Sequence, residues 1–235
     1  MKIIALDINK QNNNEAPTKL FQFFLNGLIE GGALVEYYNI ANMRIERCRA
    51  CTSTNDFLSD GKCRCNDDFT AILPSLRASD AWVFAYHNNS NQLSPAMSTI
   101  LDRIEPLFEP NFVDFQSDDF PDAFTNGYSR RLVLISTSAK WELAAFDNIV
   151  EQLHTFSSLY HLDFLPPLLR PHSNILTKLI DIKIDVEDIF NSAFSAGLAF
   201  AQKESIPSEH VKNISRQLIS KDSFLYNMLY KIPQL

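Results

Sequence analysis

The sequence predicts an α/β protein built on a doubly wound, five-stranded parallel sheet. Short apolar runs at 2–7, 81–86 and 131–137 are typical of buried parallel strands. Segments with apolar residues at helical spacing separate these runs, and strands alternating with helices build an open parallel sheet. Hydrophobic residues make up 46% and charged residues 21% of the 235 residues, which excludes a disordered or fibrous chain.

The first forty residues predict a strand, a helix and a second strand. Residues 2–7 form the first strand, and apolar side chains recur at helical spacing over 20–28. Gly31 and Gly32 end the helix, because glycine tolerates the left-handed backbone of a C-terminal cap. The second strand follows at 33–38. This order is the right-handed unit of a parallel sheet.

The rest of the chain continues the alternation, with two interruptions. Segment 41–68 contains all four cysteines, and segment 106–128, rich in Phe, Asp and Pro, is expected to be an excursion or lid. We therefore expect one domain over 1–174, with 41–68 as a cysteine-containing insertion, and a C-terminal helical extension over 175–235 packed on the same domain. The further predicted elements are helices over 69–78, from Pro95 and over 144–157, strands at 81–86, 131–137 and 161–165, and two or three C-terminal helices with Pro207 between two of them.

Charge and hydropathy exclude several kinds of partner. The chain has 28 acidic and 21 basic residues, a net charge of −7, so its surface repels nucleic acid and anionic membranes. No apolar run approaches the roughly 20 residues that span a bilayer. The apolar stretch at the N-terminus is too short for the core of a signal peptide. We therefore expect a cytoplasmic protein.

Three loops are the expected place for a ligand. In open α/β sheets, ligands bind beyond the carboxyl ends of the strands, where the strand order reverses. The loops that follow the first, third and fourth strands are 8–17, 86–92 and 137–142, and all three are rich in polar residues.

Short segments along the chain carry a family resemblance. They are the strand, loop and helix at 2–30, Cys48-Arg49-Ala50-Cys51, Cys63 with Asp67-Asp68, Trp82-Val83-Phe84, Ile100-Leu101-Asp102-Arg103, Ser136-Thr137, Trp141-Glu142, Phe146-Asp147, Leu169-Arg170-Pro171 and the tail from Ala196 to Leu225. Their order and spacing resemble the NAD(P)H-dependent FMN reductases of the flavodoxin-like superfamily, and most closely the iron–sulfur flavoprotein branch.

The resemblance implies a noncovalent FMN that NADH or NADPH reduces and that passes electrons to a small-molecule or protein acceptor; we also expect a homo-oligomer. The flavin performs the hydride chemistry, so no catalytic side chain is assigned. The first loop and the following helix N-terminus would bind the flavin phosphate. The candidate phosphate ligands are Asn9, Lys10, Asn12, Asn14 and Thr18. The candidates for the isoalloxazine ring are His87, Asn88, Asn89, Ser90, Ser138, Ala139 and Trp141.

The three loops depart from the family in lacking glycine. Relatives usually carry Gly-Ser-Pro-Arg in the first loop, where this chain reads Asp7-Ile8-Asn9-Lys10. All six glycines lie outside the loops, so no residue there lets the backbone approach a phosphate as closely as glycine does. A second interpretation is therefore a flavodoxin-like relative that has lost flavin binding and serves as an interaction or scaffold subunit. We also expect Asp102 and Arg103 to form a pair on a helix surface.

The four cysteines leave three alternatives open. Cys48, Cys51, Cys63 and Cys65 could bind a [4Fe–4S] cluster or a Zn²⁺ ion, or they could hold no metal and stay free or redox-paired. Thr54 stands where iron–sulfur relatives have their third cysteine. Nearby basic side chains would favour thiolates in each case.

Overall fold

The computed structural model describes residues 1–9, 15–49, 63, 65–88, 93–108, 130–220 and 222. Its centre is a parallel sheet in the order β2-β1-β3-β4-β5, and a short sixth strand also pairs with β4. The predicted doubly wound sheet is confirmed, and its fifth position is shared by two short strands. The strands are β1 (Lys2–Asp7), β2 (Leu34–Asn39), β3 (Ala81–His87), β4 (Arg131–Thr137), β5 (Asp163–Phe164) and β6 (Leu168–Arg170).

Helices cover both faces of the sheet. The helix predicted from 144 begins later, because residues 143–146 form a 3₁₀ turn before it. Pro207 lies directly before the last described helix, as the sequence predicts. The α-helices among the described residues are α1 (Glu15–Glu30), α2 (Asp68–Arg77), α3 (Pro95–Ile104), α4 (Asp147–Leu159), α5 (Ser173–Asp181), α6 (Glu187–Ala201) and α7 (Ser208–Ser215). None of these helices has the length and apolar run that a bilayer crossing requires.

The alternating side chains of the strands divide the core into two clusters. Ile3 and Ala5 of β1 point to the face covered by α1, α5 and α6. Ile4 and Leu6 point to the opposite face, which is covered by α2, α3 and α4. Because both faces are buried, the strands read as continuous apolar runs rather than as an alternation of polar and apolar residues.

Two glycines allow α1 and α6 to cross with their backbones in contact. A Cβ atom built on Gly27 would lie 2.0 Å from the carbonyl oxygen of Phe194. One built on Gly197 would lie 2.2 Å from the carbonyl oxygen of Phe24. Any side chain at either glycine would push the two helices apart. Gly32, at φ +80°, follows α1 in the left-handed conformation, which confirms the predicted cap.

Arg103 is buried, and the prediction that it pairs with Asp102 on the helix surface is wrong. Its guanidinium donates to the carboxylate of Asp67 at 2.7 and 3.0 Å, and both side chains are almost fully buried. Asp67 also caps α2 by accepting from the backbone N–H of Thr70 at 3.0 Å. The Arg103 guanidinium holds the pKa of the Asp67 carboxyl well below its usual range. This pair joins α3 to the start of α2.

Arg170 joins the sheet to the C-terminal helices. Its guanidinium is fully buried at the end of β6 and donates to the carbonyl oxygens of Ile214 at 2.7 Å and Arg216 at 2.9 Å. These carbonyls lie at the C-terminal end of α7, where backbone acceptors lack helical partners. Burial lowers the pKa of Arg170 to about 10.

Candidate ligand site at the carboxyl edge of the sheet

The carboxyl ends of β1, β3 and β4 lie side by side. Asp7, the last residue of β1, is in register with Ala85, and His87, the last residue of β3, is in register with Thr137 of β4. The chain leaves β1 for β2 on one side, and β3 lies on the other, so the strand order reverses here. This is the position where doubly wound sheets bind ligands.

The end of β1 is organised around the carboxylate of Asp7. Oδ1 accepts from the backbone N–H of Asn9 at 3.1 Å and from its Nδ2 at 2.6 Å. Oδ2 accepts from the hydroxyl of Tyr37 at 3.0 Å. Burial of Tyr37 and the nearby Asp7 charge raise the pKa of the phenol to about 12. The Asn9 side chain is thereby fixed at the start of the first loop.

The side-chain oxygen of Asn9 is buried at this edge. The Oδ1 atom of Asn9 has no hydrogen-bond donor among the described residues. A buried acceptor in this state is costly, and a water molecule or a hydroxyl or N–H group of a ligand would satisfy it. The alcohol groups of a ribityl chain are donors of this kind.

The N-terminus of α1 follows the first loop. Thr18, in its first turn, is exposed, whereas Ala16 and Pro17 are buried. An exposed hydroxyl at a helix N-terminus, together with the positive end of the helix dipole, suits a phosphate. The other predicted phosphate ligands, Lys10, Asn12 and Asn14, lie outside the described residues.

His87 and Asn88 fasten the end of β3 to β4. The Nδ1 atom of His87 lies 2.7 Å from Oγ1 of Thr137. Asn88 is buried; its backbone N–H donates to the Thr137 carbonyl at 2.7 Å, and its Nδ2 donates to the Ala145 carbonyl. His87 is the last residue of the strand rather than part of the following loop. Asn89 and Ser90 lie outside the described residues.

Ser138 fixes the start of the third loop. It is fully buried, and its hydroxyl donates to the carbonyl of Asn88 at 2.9 Å and accepts from the N–H of Lys140 at 3.1 Å. Its own N–H donates to the carbonyl of Arg170 at 3.0 Å. Ala139 is exposed and Trp141 is half-buried. The second and third loops therefore begin from one hydrogen-bonded frame.

The contacts of His172 with the third loop were not predicted from the sequence. Its ring lies 4.1 Å from the ring of Trp141, measured between centroids, and its Nε2 lies 2.7 Å from the Trp141 carbonyl oxygen. The residue precedes α5 in the left-handed conformation, at φ +53°. The only local signal was its place directly after the Leu169-Arg170-Pro171 motif, which by itself does not indicate a contact with the third loop.

The arrangement fits a phosphorylated ligand with a planar polar group. Thr18 is exposed at the N-terminus of α1, and the buried amide oxygen of Asn9 has no donor among the described residues. Asn88, Thr137 and Ser138 form a hydrogen-bonded frame at the ends of β3 and β4. The carboxylate of Asp7, an anionic group of this edge, is already held by Asn9 and Tyr37.

The cysteine segment is only partly described, and Cys51 lies outside the described residues. Cys48 and Cys63 are half-buried, and Cys65 is buried, with its thiol donating to the Arg47 carbonyl oxygen at 3.6 Å. Burial raises the pKa of the Cys65 thiol. The described residues contain no group of three or more His, Cys, Asp or Glu side chains arranged to bind a metal ion.

Neither a protein-family model nor a curated protein sequence matches this chain. Solved structures do match this chain. An NAD(P)H:quinone oxidoreductase from Methanothermobacter marburgensis has a TM-score of 0.56 at 13% identity, over 85% of this chain and 96% of that one. RosB with a bound 8-demethyl-8-formylriboflavin-5′-phosphate intermediate has a TM-score of 0.57 at 11% identity, over 100% and 88%.

An FMN-dependent NADH-azoreductase from Bacillus anthracis str. Ames Ancestor, in complex with FMN, has a TM-score of 0.54 at 12% identity, over 86% of this chain and 99% of that one. At these identities the likeness establishes a shared fold. Together with the strand order 2-1-3-4-5, it shows that the fold is flavodoxin-like. The resemblance drawn from the sequence is confirmed at this level.

Proposed function

We propose that this protein binds FMN at the carboxyl edge of its sheet and acts as an NAD(P)H-dependent oxidoreductase or electron-transfer flavoprotein. The observation that carries the proposal is the polar edge formed by the ends of β1, β3 and β4, where the strand order reverses. Bound FMN would supply hydride and single-electron transfer, and the protein would bind and orient it. Structures that share the fold include flavin-dependent reductases.

The first loop and α1 would hold the phosphate and the ribityl chain. Backbone N–H groups at the start of α1 carry the positive end of the helix dipole, and the Thr18 hydroxyl adds a donor. The Asn9 amide oxygen would accept from a ribityl hydroxyl, which would satisfy an atom that is buried without a partner among the described residues. These contacts would compensate for the missing glycines of the first loop.

The second and third loops would orient the isoalloxazine ring. The bonds from Ser138 and from the Asn88 N–H fix the loop starts before any ligand arrives. A site whose groups are already ordered loses less conformational entropy on binding. Trp141 and His87 would lie along the ring, as the resemblance implies.

The direct test is reconstitution with FMN. Purified protein incubated with excess FMN and then desalted should retain about one flavin per chain, with the visible bands of a bound flavin. Adding NADH or NADPH without oxygen should then bleach those bands. Protein that stays colourless after this treatment would overturn the proposal.

A paired substitution tests the phosphate position. Thr18→Glu places a carboxylate in the first turn of α1, where it favours the helix by about 0.3–1 kcal/mol but repels a phosphate. We expect FMN affinity to fall about 5- to 30-fold, since the repulsion is on the order of 1–2 kcal/mol at a partly exposed site. Thr18→Gln, of the same size but neutral, is the matched control and should change affinity much less. Equal effects from both variants would place the phosphate elsewhere.

A non-enzymatic interaction or scaffold subunit is the second candidate, and Asp7 favours it. Its carboxylate stands at the end of β1, beside the position proposed for an anionic phosphate, in loops without glycine. Asp7→Asn removes that charge and keeps an acceptor for Tyr37. If the native chain binds no FMN and Asp7→Asn restores binding, the hypothesis of a non-enzymatic interaction or scaffold subunit is favoured.

A further inference from the structure

His172 connects the third loop to the sheet and the C-terminal helices. It is buried, and its backbone N–H donates to the carbonyl of Lys140 at 3.0 Å. Its ring contacts the Trp141 ring, and its Nε2 lies 2.7 Å from the Trp141 carbonyl oxygen. One residue therefore contacts the loop 137–142 through its backbone, its ring face and a ring nitrogen.

The Trp141 carbonyl fixes the tautomer of the neutral imidazole, and the neighbouring Arg170 disfavours a second proton. A carbonyl oxygen only accepts, so Nε2 of His172 carries the proton that it shares with Trp141. In the neutral ring Nδ1 is then a lone pair, and it lies 3.4 Å from Nη2 of Arg170. A second proton would have to enter at Nδ1, directly against a fully buried guanidinium.

We propose that His172 is the positioning residue of the third loop and that protonation of its ring releases this loop. In the neutral state the imidazole donates to the Trp141 carbonyl and packs on the Trp141 ring. In the protonated state two cations would face each other in a buried space, and the loop separates from β6 to let water reach them. The link to cofactor affinity rests on the proposed function; the link between His172 and the loop does not.

The charges around His172 set the direction of the pH effect. Burial is the main cause that lowers the pKa of His172, and Arg170 lowers it further, whereas the Trp141 carbonyl and Glu142 raise it. Beyond Arg170, the ion pair of Arg216 with Asp188 adds charges of both signs. The net shift is downward. Below about pH 6.5, the ordinary pKa of histidine, the released loop takes up a proton and the held loop does not. Lower pH therefore favours release, and above this range the equilibrium is independent of His172.

Intrinsic fluorescence measures the loop without any ligand. The chain has two tryptophans; Trp82 is fully buried in the sheet, so a pH-dependent change in emission is assigned to Trp141 and checked with Trp141→Phe. His172→Asn removes the titrating ring and keeps a residue type that tolerates positive φ. His161→Asn is the matched control, because His161 is exposed and has the same left-handed backbone, at φ +54°.

We expect the native chain and His161→Asn to show an emission transition with its midpoint below about pH 6.5, and His172→Asn to show none. Between pH 7.5 and 5.5, FMN affinity should fall by up to about tenfold more in the first two proteins than in the third, since one pKa unit corresponds to a tenfold change and the phosphate of FMN itself titrates in all three. A transition that survives in His172→Asn, or a flat native emission, overturns the proposal. If none of the three proteins binds FMN, the proposed function fails, and the emission of Trp141 still tests the proposal for His172.

Nuclear magnetic resonance of the native chain covers the case in which His172→Asn does not fold. The His172 ring proton and the Trp141 indole N–H should shift with a common midpoint as the pH falls. Separate midpoints would show that the loop moves independently of His172, and the proposal would be wrong.

Discussion

Gly27, one of the two glycines at the crossing of α1 and α6, gives a sharp test of the packing. Gly27→Ala adds one methyl group whose carbon would lie 2.0 Å from the carbonyl oxygen of Phe194 and 2.9 Å from the backbone nitrogen of Leu198. Ordinary contacts begin near 3.4 Å, so the helices would have to separate by about 1.4 Å along this line. Both obstructing atoms belong to the backbone, so no side-chain rotation can relieve the clash.

Two opposing effects determine the size of the change. Alanine favours a helix over glycine by about 1 kcal/mol. Separating the helices loosens the contacts of buried residues such as Phe24 and Phe200, and a gap of 0.5–1 Å already forfeits about a quarter to a half of each contact energy. Overpacked cores typically lose about 1–3 kcal/mol, occasionally more, and a backbone clash lies at the upper end. We expect a net loss of about 2 kcal/mol in the free energy of unfolding, or about 4–8 °C in Tm for a chain of this size.

Urea unfolding followed by circular dichroism measures this loss. The urea concentration at the midpoint of unfolding should fall, while the dependence of the free energy of unfolding on urea concentration stays constant. Gly32→Ala is the control: nothing lies within 4 Å of its Cβ position, so it reports only the strain of alanine at φ +80°, about 1–2 kcal/mol. If Gly27→Ala unfolds at the same or a higher urea concentration than the native chain, the helices do not cross as closely as described.

Two further predictions concern buried arginines. Asp67→Asn leaves the Arg103 guanidinium buried without its counter-charge and should lower the free energy of unfolding in urea by about 3–5 kcal/mol. The low pKa of Asp67 adds stability above about pH 4 that disappears as the pH falls below it, so the free energy of unfolding of Asp67→Asn should depend less on pH in the acid range. Asp102→Asn, on the exposed neighbour, should change stability by less than about 0.5 kcal/mol, and an equal effect of both variants would contradict the buried pair. Arg170→Met removes the donors to the Ile214 and Arg216 carbonyls and should lower the free energy of unfolding by about 3 kcal/mol, with faster hydrogen exchange in α7. Arg216→Met, which breaks only an exposed ion pair, is the control and should cost less than about 1 kcal/mol. Unchanged exchange in Arg170→Met would show that Arg170 does not hold α7 to the sheet.

Local patterns in the sequence were sufficient for the elements and the sheet. The apolar run at 131–137 coincides with β4, and the apolar positions after Pro95 are the buried face of α3. Gly32 ends α1, and Asp67-Asp68 opens α2. These features depend on residues that are close in the chain, so their periodicity and caps are visible without a structure. The three loops at the carboxyl edge follow from strand order alone.

The long-range contacts that join the helices and hold the third loop were decided by the tertiary structure. Arg103 pairs with Asp67, 36 residues away, rather than with its neighbour Asp102. His172 contacts Trp141 across 31 residues, and Gly27 meets the backbone of α6. Each contact joins segments that are distant in the chain, and their approach depends on how whole helices pack on the sheet. No local pattern shows which distant segments will meet. The residues next to Arg103 in the sequence therefore do not indicate whether its side chain is buried or exposed.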